Sequence, residues 1–281
     1  MINILYCGNE GVFDGILTSM LSILRRSELS EPMRFFVFTM DVSHLRADYV
    51  PISDAATKFL DEAVKEYNPE NEVIKIDVTE HYMREFSGCP NEDAYCSPYT
   101  LIRLFCDLIP QIPDKLLYLD ADVMFNRDVH LIYDIDVSEV EYAAARDHYG
   151  KYLVSPNYVN AGVMLFNMTA VREGGLLARA RELIKTKKLP FADQSAIIRS
   201  TTKKLMLAQR FNDQKFLHKH TVIRHFSKRL FYLPYPHTDN VKQWQVSRIH
   251  KIFGYYQFDD VLYEYIYLKK KFEREGLRIE K

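Results

Sequence analysis

The first half of the chain alternates short apolar runs with amphipathic segments, and this alternation constrains the fold more than any other feature. Runs rich in β-branched and aromatic residues predict strands, and apolar residues three or four apart predict the helices between them. Strand and helix in alternation are typical of a parallel sheet covered by helices, so we expect an α/β fold. The predicted strands span residues 2–7, 34–40, 72–78 and 115–120, and the predicted helices span 13–26, 54–67 and 98–109.

Shorter elements and less regular patterns mark the second half of the chain. It shows no internal repeat and no Gly/Ser-rich linker, and residues 208–258 are rich in aromatic residues, His and Pro, as loop-dominated binding surfaces often are. We therefore predict one main domain over residues 1–235 and a C-terminal extension, 236–281, that packs on it. Within the main domain, strands are expected at 141–147 and 160–167, and helices near 169–187 and 192–199.

Net charge and cysteine usage argue against several classes of function. The net charge of −1 and the pI near 6.8 give no overall attraction to nucleic acid. The cysteines form no CxxC pair, so reduced thiols are favoured over a zinc site or disulfides, as expected in the cytoplasm. The N-terminal apolar run is too short for a signal peptide, and no segment approaches the roughly 20 apolar residues of a membrane span. The cysteines are Cys7, Cys89, Cys96 and Cys106.

The C-terminal stretch VLYEYIYLKKKFEREGLR predicts a helix that carries several tyrosines and three consecutive lysines, 269–271. One interpretation is a solvated helix end, and the other is peripheral contact with the inner face of a membrane. Glu273 and Glu275 dilute the positive patch and favour the first interpretation.

The segment KLLYLDADVMFN, residues 115–126, ends a buried strand with two aspartates. Side chains two apart on an extended chain point the same way, so Asp120 and Asp122 can reach one cation. In open α/β sheets ligands bind beyond the carboxyl ends of strands, which favours a ligand site here. In the alternative, a turn whose aspartates cap backbone amides, the second carboxylate would only add repulsion. A cation held by two carboxylates retains positions for phosphate oxygens, so we predict a diphosphate ligand.

A third metal ligand is sought among the histidines. His225 follows the apolar run in TVIRHF and can approach from a strand end. An imidazole beside two carboxylates favours manganese over magnesium. A single histidine after a strand is more often structural, and His218, His220 and His237 compete for the role.

Several motifs together resemble those of the retaining glycosyltransferases of family 8. KLLYLDADV is followed about forty residues later by NAGVMLFN, then by ADQSAI and by a His-Phe pair after an apolar strand. SPYTLIRLF is similar to the family's segment before the metal-binding strand. The resemblance covers about residues 2–235, and the ordered set is far more specific than the aspartate pair alone. It implies the GT-A fold, a Rossmann-like and mostly parallel sheet with an appended mixed α/β acceptor region, and a nucleotide-sugar substrate.

The resemblance also implies a role for each matching residue. Asp120, Ala121 and Asp122 would bind the diphosphate, and the two aspartates with His225 would hold Mn²⁺ or Mg²⁺. A sugar is rich in hydroxyls and is held by hydrogen bonds from Asn, Asp and Gln, while glycine permits close backbone approach. The donor would contact Cys7, Asn9, Arg103, Asn160, Ala161, Gly162, Asp193 and Gln194, and the last two would be the catalytic residues beside the transferred sugar.

Ordinary structural roles compete with these assignments. Arg103 would suit a helix surface, Gly162 would suit a strand kink, and Asp193 would suit the N-cap of the helix that follows it. The joint order of the motifs is what favours the functional interpretation.

Two positions depart from the family pattern. An acidic residue commonly follows the first strand near the nucleotide base, whereas this chain has Asn9 and then Glu10. The family's His segment usually continues with Gly and then Lys-Pro-Trp, whereas this chain reads HFSKRLFYLP, with Lys228 at the glycine position and Phe231 at the lysine position. The cation for the leaving phosphate is therefore expected to be Lys228 or Arg229.

The predicted reaction is metal-assisted transfer of a hexose from a UDP-sugar to a glycan, lipid-linked or protein acceptor, as in polysaccharide or lipopolysaccharide synthesis. The metal and a basic side chain would stabilise the charge that grows on the departing diphosphate. The resemblance implies retention of anomeric configuration. No carboxylate stands out as a nucleophile, so front-face attack is preferred over a covalent intermediate on Asp193 or Asp147.

Three rival functions fit parts of the sequence. A phosphatase of the haloacid dehalogenase type also ends a strand in Asp-x-Asp, and FDDVL at 258–262 imitates its late acidic pair, although Met124 stands where Thr or Val is usual. A non-catalytic nucleotide-sugar binding protein would bind donor without releasing nucleotide. A self-modifying enzyme would add sugar to one of its own 19 tyrosines.

Overall fold

The computed structural model describes residues 1–92, 97–231, 233 and 235–279, so Cys96 lies outside the described residues. Within these residues the central sheet has seven strands in the order β3-β2-β1-β4-β7-β6-β8, and two small sheets pair β5 with β9 and β10 with β11. The strands are β1 (Ile2–Cys7), β2 (Met33–Thr39), β3 (Glu72–Asp77), β4 (Lys115–Leu119), β5 (Val123–Phe125), β6 (Tyr142–Arg146), β7 (Val159–Asn167), β8 (Lys204–Leu207), β9 (Ile223–His225), β10 (Arg229–Phe231) and β11 (His237–Asp239).

Helices connect these strands and cover both faces of the sheet. A long 3-10 helix, Pro98–Leu108, precedes β4, and a π-helical turn, Ile249–Phe253, follows α9. The α-helices are α1 (Phe13–Arg26), α2 (Asp54–Lys65), α3 (Thr79–Glu85), α4 (His130–Tyr133), α5 (Gly150–Leu153), α6 (Met168–Gly174), α7 (Leu176–Thr186), α8 (Ala192–Ser200), α9 (Val246–Arg248) and α10 (Asp259–Ile279).

The sheet confirms the predicted α/β class. Strands β3, β2, β1 and β4 run parallel, β7 lies antiparallel between β4 and β6, and β8 is parallel to β6. The chain winds to β2 and β3 on one side of β1 and reaches β4 on the other. A crevice therefore opens beyond the carboxyl ends of β1 and β4, where α/β sheets bind ligands.

Two predicted helices differ from the structure in detail. Residues 98–108 form a 3-10 helix, in which Thr100 N donates to Ser97 O, three residues back, at 3.0 Å. Side chains reach the same carbonyls, because Thr100 Oγ1 donates to Ser97 O and Arg103 Nε donates to Thr100 O, both at 3.0 Å. Ser97 caps this helix as predicted, accepting from Tyr99 N. The predicted helix near 169–187 divides into α6 and α7 at Gly175, whose φ of 65° ends a helix at little cost for glycine.

The core lies on both faces of the sheet because the central strands are buried on both sides. Neighbouring residues of β1 face opposite ways: Ile4 packs with α1, α2 and α10, and Leu5 packs with the 3-10 helix, α7 and α8. Each fully buried Ile or Leu side chain contributes about 1.5 to 3 kcal/mol to stability. This packing fixes the position of the loop after β4.

Helix α10 packs along α1 as the predicted C-terminal helix. Lys269 Nζ donates to Asp14 at 2.6 Å, Arg26 donates to Asp260 at 2.6 Å, and the ring of Phe272 stacks on Phe13. Lys271 lies 3.9 Å from Glu66, so part of the lysine cluster faces carboxylates of the same chain. Among the residues described, no helix combines the length and apolar character needed to cross a membrane.

Candidate active site

Asp120 follows β4 directly, and other parts of the protein occupy one of its two carboxylate oxygens. Oδ1 accepts hydrogen bonds from Tyr118 Oη at 2.7 Å and from Arg103 Nη2 at 3.0 Å. Oδ2 faces His225 and lies 3.8 Å from its Nε2. Asp120 therefore presents one oxygen to the crevice while the other is held in place.

Asp122 lies two residues on and is flanked by two nitrogen groups. His225 Nε2 is 3.0 Å from its Oδ1, and Lys242 Nζ donates to its Oδ2. Burial opposes ionisation of Asp122, but Lys242 and His225 together hold its pKa far below the ordinary value. The carboxyl group is therefore ionised at neutral pH.

His225 ends β9, and strand pairing delivers it to the aspartates. In the antiparallel β5–β9 pair Val123 lies opposite His225, and Phe226 N donates to Asp122 O at 2.8 Å. The ring is 3% exposed, and its Nδ1 lies 3.0 Å from Oδ1 of Asn212. A ring nitrogen anchored in this way leaves the opposite nitrogen directed at the carboxylates.

One ligand atom from each of Asp120, Asp122 and His225 lies within 4.8 Å of the other two. Gly162 packs against this group so closely that a Cβ there would meet His225 Cε1 at 2.4 Å and Asp120 Oδ2 at 2.6 Å. Two carboxylates and an imidazole suit Mn²⁺, and Mg²⁺ to a lesser degree, so these residues fit the predicted metal. Within the described chain this is the only such group of three side chains, and it includes none of the competing histidines His218, His220 and His237.

Arg103 is buried rather than on a helix surface, with 3% of its area exposed. Its Nη1 donates to Ala161 O at 2.6 Å, its Nε lies 3.2 Å from Asp193 Oδ2, and its guanidinium stacks on the Tyr118 ring at 4.0 Å. Together with its bond to Asp120, these contacts tie the loop that carries Asp120 and Asp122 to β7 and α8. Arg103 also lines the crevice.

The start of β7 brings the predicted sugar-binding residues beside Asp120. Ala161 N donates to Gln194 Oε1 at 2.9 Å, and Gly162 N donates to Asn160 Oδ1 at 3.0 Å. Asn160 Nδ2 donates in turn to Asp147 Oδ2 at 2.8 Å. These amide side chains form a polar wall next to the aspartate pair.

Asp193 is the second residue of α8, whose N-cap is Phe191, and it is 4% exposed. Burial raises its pKa, and the neighbouring Arg103 acts against that rise. Ala192, directly before it, has a φ of 30°, a strained backbone conformation for a residue with a Cβ. The structure therefore places Asp193 in a buried ion pair and gives Gln194 the more exposed position.

One end of the crevice, where the family resemblance would put the nucleotide, is formed by the carboxyl end of β1 and the start of the 3-10 helix. Cys7 and Asn9 line it together with Tyr99. Asn9 Nδ2 donates to Asp48 O at 3.1 Å. Burial raises the pKa of the Cys7 thiol, with Arg103 acting in the opposite direction, so Cys7 is a neutral thiol at this wall.

Sequence reasoning missed a second segment at the site, Lys242-Gln243-Trp244. Gln243 is fully buried, and its Nε2 donates at 2.8 Å to the carbonyl of Ala121, between the two aspartates. Trp244 and Lys242 line the crevice, and a Cβ on Gly15 would meet Trp244 Cζ3 at 2.9 Å. The signal was present in the sequence, because Lys242-Gln243-Trp244 has the Lys-x-Trp spacing of the family's Lys-Pro-Trp, although Lys228 or Arg229 was the expected cation.

The β10–β11 hairpin accounts for the displacement of that pattern. Its strands, residues 229–231 and 237–239, lie between His225 and Lys242 in the sequence. Lys228 is exposed and does not line the crevice, and Arg229 Nη1 donates to Lys215 O at 2.9 Å. The cation that reaches Asp122 is Lys242.

Comparison with protein families identifies the family of this chain. The sequence model of glycosyl transferase family 8 matches residues 3–220. The chain belongs to glycosyl transferase family 8. Members of this family with the GT-A fold typically use a divalent metal and a nucleotide sugar.

One curated protein and two solved structures are similar to this chain. Glucoside xylosyltransferase 1 of Mus musculus is 31% identical over 166 residues, which cover 54% of this chain and 37% of that protein. The chain thus spans little more than a third of the length of this relative. The galactosyltransferase LgtC, solved with donor and acceptor sugar analogs, is 17% identical with a TM-score of 0.62, covering 94% of this chain and 96% of LgtC. The bifunctional glycosyltransferase WbbM is 16% identical with a TM-score of 0.69, covering 96% of this chain and 51% of WbbM. The structural likenesses establish the GT-A fold.

Proposed function

We propose that this chain transfers a sugar from a UDP-sugar to a hydroxyl acceptor, with a divalent metal and with retention of anomeric configuration. The observation that carries the proposal is the convergence of Asp120, Asp122 and His225 at the crevice, with Lys242 beside them. We propose a hexose as the donor sugar. Xylose is the second candidate, because a relative is a xylosyltransferase.

A bound Mn²⁺ or Mg²⁺ would be held by Asp120, Asp122 and His225, and would stabilise the charge on the departing diphosphate. Lys242 supplies a second positive charge on the same side of the crevice, and its contact with Asp122 holds the ammonium ready for a phosphate oxygen. Gln194 and Asn160, fixed by backbone hydrogen bonds, orient the sugar hydroxyls.

The positions of nearby carboxylates support front-face attack. Asp193 is buried against Arg103, and Asp147 accepts hydrogen bonds on both oxygens, from Tyr149 N, Gly150 N and Asn160 Nδ2. Protein groups thus already engage both carboxylates, which argues against either of them as the nucleophile. In the proposed reaction the acceptor hydroxyl attacks from the side of the leaving phosphate, and a phosphate oxygen takes its proton.

The phosphatase alternative loses its second acidic pair. Asp259 lies 2.6 Å from His250, and Asp260 pairs with Arg26 at the C-terminal end of α1. Gly15, beside the aspartate loop, is eleven residues earlier on that helix, which corresponds to about 16 Å. The two acidic pairs are therefore too far apart to act on one phosphate.

The acceptor is proposed to be a glycan, a lipid-linked glycan or a protein, in polysaccharide or lipopolysaccharide synthesis. We further propose a cytoplasmic location. The free thiols Cys7, Cys89 and Cys106 support it, because reduced cysteines are usual there.

The test is UDP release from UDP-glucose, UDP-galactose, their N-acetyl forms and UDP-xylose, with Mn²⁺ or with chelator. We expect Mn²⁺-dependent release from one donor, lost in Asp122→Asn. The matched control is Asp134→Asn, an exposed carboxylate next to Tyr133, whose hydroxyl contacts Asn3 at the amino end of β1. Phosphoenzyme formation on Asp120 would support the phosphatase instead, and UDP binding without release would support the non-catalytic protein.

A further inference from the structure

A series of side-chain hydrogen bonds connects His225 to the carboxylate of Asp147, which lies beyond the polar wall of Asn160 and Gln194. His225 Nδ1 lies 3.0 Å from Asn212 Oδ1, Asn212 Nδ2 lies 2.8 Å from Asn160 Oδ1, and Asn160 Nδ2 lies 2.8 Å from Asp147 Oδ2. Asn212 is fully buried and His225 is 3% exposed. Asn212 belongs to no motif that sequence analysis singled out.

Asp147, at the end of this series, fixes which group donates and which accepts in each of its hydrogen bonds. A carboxylate accepts and does not donate, and Asp147 Oδ1 is already taken by Tyr149 N at 3.0 Å and Gly150 N at 2.6 Å. Asn160 must therefore turn its amide NH₂ toward Asp147 Oδ2. Its carbonyl oxygen then faces the opposite way and accepts from Gly162 N, a backbone donor that cannot reverse.

The orientation of the Asn160 amide also determines the orientation of the Asn212 amide beside the His225 ring. Because Asn160 offers an oxygen to Asn212, Asn212 must donate with Nδ2 and present Oδ1 to His225. The hydrogen between Asn212 and His225 then belongs to Nδ1 of the ring. Nε2 remains the nitrogen that faces Asp122 and, when metal binds, the ligand atom.

We propose that Asn212 and Asp147 are positioning residues that fix the protonation of His225 at Nδ1, so that Nε2 is reserved for the metal. The metal part of this proposal rests on the proposed function, whereas the position of the ring hydrogen does not. These hydrogen bonds also connect His225 to Asn160 of the polar wall. The buried Asn212 amide therefore positions both the proposed metal ligand and the proposed sugar-binding residue.

Three substitutions separate this proposal from a general structural role. Asn212→Asp keeps an acceptor for His225 but loses the donor to Asn160. Asn212→Leu loses both and keeps a similar volume. Asp147→Asn replaces one carboxylate oxygen by an NH₂ group, and two side chains, Asn160 and Asn212, separate it from His225. The new NH₂ would face the NH₂ of Asn160. Asn71→Leu is the control, because Asn71 is also buried and bonded to the backbone, but lies before β3 at the opposite edge of the sheet.

The first measurement is the ¹⁵N NMR spectrum of the imidazoles in metal-free protein, with the His225 signals assigned by their loss in His225→Gln. We expect a protonated Nδ1 with a slowly exchanging hydrogen in wild type, Asn212→Asp and Asn71→Leu. We expect that hydrogen to exchange rapidly or to leave Nδ1 in Asn212→Leu and Asp147→Asn. A wild-type Nδ1 without hydrogen, or an unchanged signal in Asn212→Leu and Asp147→Asn, would overturn the proposal.

The second measurement is Mn²⁺ affinity, from the free-ion EPR signal. Loss of a partner that orients a metal-bound histidine typically weakens binding by about 10 to 100-fold, and we expect this for Asn212→Leu and Asp147→Asn. Asn212→Asp should keep its Mn²⁺ affinity and instead raise the KM for donor. Wild type that binds no Mn²⁺ but shows the predicted Nδ1 hydrogen would refute the proposed metal site and leave the ring assignment standing. Equal Mn²⁺ affinity in wild type, Asn212→Leu and Asp147→Asn would refute the positioning role.

Discussion

Lys242 Nζ donates a hydrogen bond to Asp122 Oδ2, although 120 residues separate them in the chain. Asp122 follows the central strand β4, and Lys242 lies in a loop that Gln243 anchors to the Ala121 carbonyl. The contact places an ammonium ion where a diphosphate would meet the metal. The ammonium group beside Asp122 is therefore supplied by the segment beyond residue 235, from outside the region that the family resemblance covered.

Replacing Lys242 by methionine should lower kcat about 100-fold, because a charge that stabilises the leaving diphosphate is removed while the aliphatic volume is kept. Steady-state UDP release with the preferred donor measures the effect. Lys228→Met should change kcat less than about threefold, because Lys228 does not line the crevice. Equal losses of kcat in the two variants would show that Lys228 also stabilises the leaving diphosphate.

Gly162→Ala should abolish metal binding while the protein remains folded. The new Cβ would meet His225 Cε1 at 2.4 Å and Asp120 Oδ2 at 2.6 Å, so the ligands must separate. Mn²⁺ titration and circular dichroism together measure this outcome. Gly276→Ala is the control, because an added Cβ there has no neighbour within 4 Å, and it should stabilise α10 by about 0.5 to 1 kcal/mol. Normal Mn²⁺ affinity in Gly162→Ala would show that the three side chains do not share one ion.

Arg103→Met should destabilise the fold by about 3 kcal/mol or more, because the buried Asp193 carboxylate loses its charged partner. The free energy of unfolding in urea is the quantity to compare with wild type. Arg34→Met breaks a half-exposed pair with Glu72 and should cost less than about 1 kcal/mol. Similar losses for both variants would mean that the buried pair does not stabilise the site.

Enzyme quenched during turnover should have an unshifted intact mass, because front-face attack forms no glycosyl-enzyme. Mass spectrometry after acid quenching in the presence of donor is the measurement. An added sugar mapped to Asp193 or Asp147 would demand a double-displacement mechanism. An added sugar on a tyrosine, persisting after long incubation, would instead identify a self-modifying enzyme.

Sequence patterns predicted the part of the molecule that local physics determines. Strands β1 to β4 and helices α1 and α2 follow from apolar periodicity, and the aspartates after β4 follow from the rule that ligands bind at carboxyl ends of parallel strands. The choice of His225 over its competitors came from the family resemblance. The physical reason for it, the β5–β9 register that brings His225 opposite Val123, is contained in no local pattern.

Other parts of the site were beyond local reasoning. Lys242 is delivered by an irregular loop after a hairpin, so its spacing from His225 departs from the family pattern. Asn212 acts through hydrogen-bond direction, which depends on Asn160 and Asp147 from two other segments. Such couplings arise only after the fold has brought distant residues together.

The most direct test of the account is a crystal of the protein grown with Mn²⁺ and UDP, with diffraction collected at the manganese absorption edge. The account predicts one anomalous peak within coordination distance of Asp120, Asp122 and His225 Nε2, with Lys242 Nζ on a phosphate oxygen of UDP. A peak elsewhere, or UDP bound with no manganese at these three residues, would contradict it.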